Sequence, residues 1–195
     1  IPELNLADAQ KLPLEANTVD LIVTSPPYAS NAIDYMRAHK FSLVWLGYTV
    51  DQLTNTRSYC IGGENTASFS FEELPPFTSS IVAAVRQIDE KKASVLHRYY
   101  SEMSRVMRSM YHVLKPDKVA ILVVATSTMR NVDTQTHNCL ADIGREIGFE
   151  VPAIGIRHLD RNRRMMPAGM SIDLTSQIQQ RMHEEFVLGF YKPVS

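Results

Sequence analysis

The chain has 195 residues, 45% of them hydrophobic, with 20 basic and 21 acidic side chains and a net charge of −1. That size allows one domain with some elaboration. The charge balance excludes binding to nucleic acid by bulk electrostatics, which requires a basic chain, and no apolar run approaches the ~20 residues of a membrane-spanning helix. Two cysteines, Cys60 and Cys139, are too few and too isolated for a disulfide framework or a zinc site. With no signal-peptide pattern at the start, the expected location is a reducing cytoplasm.

In chain order, residues 4–9 read as a short strand ending in the carboxylate of Asp8, followed by a Leu12-Pro13 turn. Residues 20–28, Asp-Leu-Ile-Val-Thr-Ser-Pro-Pro-Tyr, are the most informative stretch. The β-branched run Leu21-Ile22-Val23 suits a buried strand of a parallel sheet. Two prolines cannot continue a hydrogen-bonded ladder, so the strand stops at Ser25 and the chain turns at its carboxyl end. Ligands of open α/β sheets bind at that end.

Thr24-Ser25-Pro26-Pro27-Tyr28 resembles the catalytic motif of the N4-cytosine and N6-adenine DNA methyltransferases. The resemblance implies a Rossmann-like α/β fold with a mostly parallel sheet, S-adenosylmethionine as cofactor and DNA as partner, in the setting of restriction–modification. The serine form of the motif leans towards cytosine N4 over adenine N6. The chemistry fits the residues. An exocyclic amine is a poor nucleophile because its lone pair is delocalised into the ring, and two acceptors for its N–H groups draw the nitrogen towards an electron-rich, tetrahedral form. Ser25 Oγ and the Pro26 carbonyl are the candidate acceptors, the latter aimed by the proline that follows it. Tyr28 offers a face on which an extruded base can stack. The family contacts its cofactor with a strand-end acid ahead of the catalytic strand. Asp8 with Ala9 matches that place, and Thr24 is a further expected cofactor contact; the competing reading of Asp8 is a simple turn cap.

Asn31-Ala32-Ile33-Asp34-Tyr35, with Trp45-Leu46-Gly47 beyond, resembles one subgroup of these methylases. Asn31 is a candidate DNA contact or a helix cap. His39 and Lys40 are expected on a solvated helix face and Trp45 in the core. Residues 49–76 are irregular, a candidate loop or lid insertion in which Arg57 could meet a phosphate. Residues 81–88 and 95–114 are helical, the second with an apolar stripe through Tyr99, Met103, Met107 and Met110. Lys115-Pro116-Asp117 ends it, with Asp117 where the family usually has glycine. Residues 119–125 form a second buried parallel strand that carries Thr126, Ser127 and Thr128 to the same rim as Ser25. A helix over 137–147 with Gly148 as its C-cap follows, and strands over 154–156 and 185–191 complete the sheet.

Residues 157–183 are a candidate DNA-contacting loop. Within it Arg157, His158, Arg161, Arg163 and Arg164 form a basic cluster over 157–164 whose sole acid is Asp160, and could clamp phosphates or make a merely solvated loop. None of the eight glycines forms the Gly-x-Gly turn that the family uses to approach its cofactor. Nor do strands lie between the Asp8 strand and the Val23 strand, so unpaired edges are expected. The chain accordingly reads as a single, partial methyltransferase domain over 1–195 whose cofactor site is completed by another segment or chain. Two alternatives stay open: an RNA or protein amide methyltransferase, and a non-catalytic DNA-binding or assembly fragment.

Overall fold

The computed structural model describes residues 4–29, 35–158 and 184–194. Arg161, Arg163, Arg164 and Asn31 lie outside them, as does the side chain of Arg57. The described elements run β1 (Val19–Thr24), α1 (Tyr35–Trp45), α2 (Val50–Tyr59), α3 (Pro76–Arg86), α4 (Glu90–Val113), β2 (Leu114–Val124), β3 (Thr128–Met129), β4 (Val132–Asp133), α5 (Thr136–Ile147), β5 (Ile154–His158) and β6 (Glu184–Lys192).

The main sheet has the order β1-β2-β6-β5. β1 pairs parallel to β2, while β6 runs antiparallel to both β2 and β5. Three of the four strands therefore point one way and only β6 is inverted, which is the mostly parallel, Rossmann-like α/β sheet implied by the motif. The central strand β2 buries Ala120, Leu122 and Val124 completely. Against it packs α4, an amphipathic helix that buries Leu96, Tyr99, Tyr100, Met103, Met107 and Met110. The methionines are core filling, as their helical spacing predicts. Cys139, on the buried face of α5, is likewise structural, and burial pushes its thiol up to about 11.

Several expectations need correction. Residues 4–9 are not a strand: they join neither of the described sheets, and without a ladder to hold it an extended segment does not become one. Leu4 and Leu6 are accordingly 99% and 104% exposed. β1 is not buried but forms one edge of the described sheet, leaving Leu21 54% and Val23 64% exposed. Trp45 is not core either. It is 90% exposed on a helix whose main packing among the described residues is with α2. Residues 49–76 are less irregular than their composition suggests. They contain α2, which opens on a capping box in which Gln52 N donates to Thr49 Oγ1 at 3.2 Å and Thr49 N to Gln52 Oε1 at 2.8 Å. The Pro75-Pro76 pair starts α3, with Pro76 at a first-turn position where the helix needs no N–H.

The turn around Pro116 explains the unusual Asp117. Its φ of +62° is the left-handed conformation that glycine takes without strain, and Tyr191 Oη steadies it by donating to the Asp117 carboxylate at 2.9 Å. The pairing of β1 with β2 shifts register across the same turn, between Val19 and Leu21.

Beyond α2 the loop is fastened to α4 by a buried ion pair. Arg98 meets Glu102 at 3.0 Å, with the two side chains only 7% and 4% exposed. Both also reach the loop: Gly62 N donates to Glu102 Oε2 at 2.6 Å and Arg98 donates to the Asn65 carbonyl. Removing one partner would leave a buried charge unmatched. Glu102→Gln is therefore expected to lower unfolding free energy by about 3 kcal/mol in a urea titration, and a joint Arg98→Met, Glu102→Leu replacement to lose distinctly less.

Candidate active site

The parallel register places Thr24 of β1 opposite Leu122 of β2, so both strands end on one rim. Ser25, the first residue past β1, is exposed. Pro26 is buried behind it, Pro27 and Tyr28 are half-buried, and Ala29 is 1% exposed. An exposed Ser25 thus stands at the strand tip, with Pro26 buried behind it and the Pro27 carbonyl held.

The holding comes from α4. Tyr99 and Tyr100 are both fully buried, their rings edge to face at 5.3 Å. Tyr99 Oη donates to the Pro27 carbonyl at 2.9 Å. Tyr100 Oη donates to the Thr134 carbonyl at 2.7 Å, in the loop that follows β2. One helix turn therefore ties down both strand-end loops. Burial raises the phenol pKa of both tyrosines far above the ordinary value, so each remains a neutral donor. Sequence reading places Tyr99 on the apolar stripe but misses this role, although a buried tyrosine usually finds a partner for its hydroxyl.

The loop after β2 is braced internally. β3 and β4 form a short hairpin turned by Arg130 and Asn131, with φ of +50° and +65°. Thr126 Oγ1 bonds to the Asp133 carboxylate, and Thr134 N and Oγ1 both donate to the Ser127 carbonyl, at 2.8 and 2.9 Å.

The structure treats the other candidates unequally. Asp8 Oδ1 accepts from Gln10 N at 2.9 Å, closing a small turn. Ala9 is exposed next to it, and Thr24 is exposed at the tip of β1. Arg157 and His158, read as part of a basic cluster with a lone acid, face acids across the sheet: Arg157 pairs with Glu185 and His158 with Glu184 at 3.3 Å. The charge of Arg157 is thus balanced within the β5–β6 ladder. His39 and Lys40 are exposed as expected. Among the described residues no group of His, Cys, Asp and Glu is arranged to hold a metal ion, and no helix is long and apolar enough to cross a membrane.

The described sheet thus carries a hydroxyl, two prolines and an aromatic just past the carboxyl end of β1. Comparison with known proteins finds methyltransferases among the similar chains. The type II methyltransferase M.MvaI of Kocuria varians is 23% identical over 134 residues, covering 64% of this chain and 30% of its own length. M.AvaI of Nostoc sp. (strain PCC 7120), also a type II methyltransferase, is 25% identical over 173 residues, covering 77% of this chain and 36% of its own. Among solved structures, TTHA0409 of Thermus thermophilus, provisionally assigned as a DNA modification methylase, aligns over 97% of this chain and 53% of its own with a TM-score of 0.48 at 18% identity. A second structure of it, in complex with S-adenosyl-L-methionine, aligns with the same TM-score at 16% identity. No family model matches the chain. The chain spans about a third of the length of the curated relatives it matches.

Because Ser25 is exposed, removing its hydroxyl should leave the fold intact. Ser25→Ala is expected to change unfolding free energy by no more than about 0.5 kcal/mol in a denaturant titration. A larger loss would assign the hydroxyl a structural task.

Proposed function

We propose that this chain is the catalytic-motif portion of a DNA methyltransferase. It transfers a methyl group from S-adenosylmethionine to the exocyclic amine of a base flipped out of the duplex, with cytosine N4 favoured over adenine N6. The observation that carries this reading is the placing of residues 24–28: a solvent-facing Ser25 at the strand tip, above a double proline whose second carbonyl is anchored. The type II methyltransferases among the sequence relatives support the class.

In this mechanism Ser25 Oγ and the Pro26 carbonyl accept the two N–H groups of the target amine. Delocalisation into the base ring weakens as the nitrogen becomes tetrahedral, and its lone pair is freed for an in-line displacement. Tyr28 stacks on the extruded base and sets its plane, a contact worth roughly 1–3 kcal/mol. S-adenosylmethionine, when bound, supplies the electrophilic methyl group; Asp8, Ala9 and Thr24 are the residues of this chain that would line it. The nitrogen gains a bond to carbon as the sulfonium loses one, and the surplus amine proton departs to solvent past Ser25. Asn31, Arg57, Arg161, Arg163 and Arg164 are proposed to hold the DNA phosphates flanking the flipped base.

The missing glycine-rich turn is proposed to lie on a complementary segment, whether of the same polypeptide or another chain. The exposed Leu21 and Val23 and the open edge of β1 support a further strand there. The test is reconstitution. By calorimetry this chain alone should bind S-adenosylmethionine weakly or not at all. Supplied with the segment that carries the glycine-rich turn, it should transfer tritiated methyl groups to DNA and not to RNA. Ser25→Ala and Tyr28→Ala should then each lower transfer by about 100-fold or more while cofactor affinity stays within a few-fold. Loss of cofactor binding in step with activity would mean that these two residues serve the cofactor and not the base.

A further inference from the structure

We propose that Tyr99 is a positioning residue for methyl transfer: its hydroxyl, through the Pro27 carbonyl, sets the direction of the Pro26 carbonyl and the attitude of the Tyr28 ring. The proposal rests on the methyltransferase reading above and adds a residue outside the motif to it. The need for such an anchor follows from the motif itself. Pro26 and Pro27 have no backbone N–H, so the turn cannot fasten these two residues by donating to a neighbouring strand. Only their carbonyls can be held, and holding them requires a donor from elsewhere. Tyr99 provides it from α4, 72 residues along the chain, at 2.9 Å.

The geometry makes this one bond effective on both sides. Upstream, the peptide plane that bears the Pro26 carbonyl is separated from the plane bearing the Pro27 carbonyl by only two dihedrals, φ and ψ of Pro27. The ring locks φ, and the hydrogen bond to Tyr99 restrains ψ. Downstream, the Pro27 carbonyl lies in the same planar peptide as the Tyr28 nitrogen, so its direction also sets the start of the Tyr28 backbone. The donor cannot drift. Tyr99 is completely buried, and its ring is packed edge to face against Tyr100. Its raised pKa keeps the hydroxyl protonated throughout the working range.

Tyr99→Phe removes one oxygen and leaves the packing volume. The matched comparison is Tyr100→Phe, which removes the same atom one residue along, from a hydroxyl that holds Thr134 instead. Both are made in the complete protein, with the complementary segment present, and assayed at a temperature at which circular dichroism shows each to be folded. Under single-turnover conditions Tyr99→Phe should slow methyl transfer about tenfold, the equivalent of one hydrogen bond. Dissociation constants for S-adenosylmethionine and DNA should stay within about twofold, and Tyr100→Phe should leave transfer within about twofold. Unchanged transfer in Tyr99→Phe, or equal slowing in the two variants, overturns the proposal.

A second readout does not depend on activity. With carbonyl carbons of the ten prolines labelled with carbon-13, Tyr99→Phe should move the Pro26 and Pro27 resonances, while Tyr100→Phe leaves them in place. If the parent protein transfers no methyl group to DNA, the methyltransferase reading fails, and the carbonyl resonances alone decide whether Tyr99 anchors the turn. Stationary resonances refute the anchor.

Discussion

Two adjacent prolines impose a constraint on everything around them. They end β1 abruptly and give the chain a stiff, extended turn, but they also remove the backbone donors by which a turn normally secures itself. The structure meets that deficit with α4. Its buried face covers β2, and two neighbouring tyrosines on that face reach the loops beyond β1 and β2. Core packing and the hold on the Pro27 carbonyl are thus made by the same turn of helix. The hydroxyl at the strand tip can stand in solvent because the residues behind it are held by a helix that is itself immobilised by burial.

The same helix also organises segments other than the strand-end loops. Arg98 and Glu102, one turn apart, are buried together and hold the segment after α2 through Gly62 and Asn65. At the far end Lys192 of β6 donates to the carbonyls of Tyr111 and Leu114, at 2.7 and 2.8 Å, where α4 gives way to β2. Burial lowers the pKa of that ammonium, and the carbonyls compensate. By contrast β1, which carries the motif, is supported on one edge only among the described strands, and its apolar residues Leu21 and Val23 stand in water.

Much of this was legible residue by residue, for reasons that can be stated. The later part of β2 announces itself because an apolar, β-branched run leaves little choice, although the strand starts at Leu114, five residues ahead of the expected Val119, and ends at Val124; α5 is bounded by Gly148, which adopts a φ of +116°. Other elements were hidden because their signals are short. The Thr49/Gln52 pair is a capping box in a stretch whose glycines and prolines suggest only a loop. The cap at Asp89, which accepts from Lys92 N at 3.0 Å, moves the start of α4 five residues ahead of its apolar stripe. Trp45 misleads in the opposite direction, since hydrophobicity states a preference for burial and cannot supply the neighbour that would satisfy it. Arg157 and His158 mislead for a related reason: the acids that neutralise them lie on β6, far away in sequence and adjacent only across the sheet.

The chemistry of the strand tip is written in the order of the residues alone. Ser25, the two prolines and Tyr28 are contiguous, and that order dictates a strand end, a rigid carbonyl and an aromatic face. The mostly parallel sheet is equally local in origin, because periodicity and β-branching are properties of single segments. Folding was needed to establish which donor holds the Pro27 carbonyl, which acids quench the basic residues of β5, and which edge of the sheet is left uncovered. Each of those depends on groups brought together from distant parts of the chain, and no pattern within a single segment encodes a partner that lies 72 residues away.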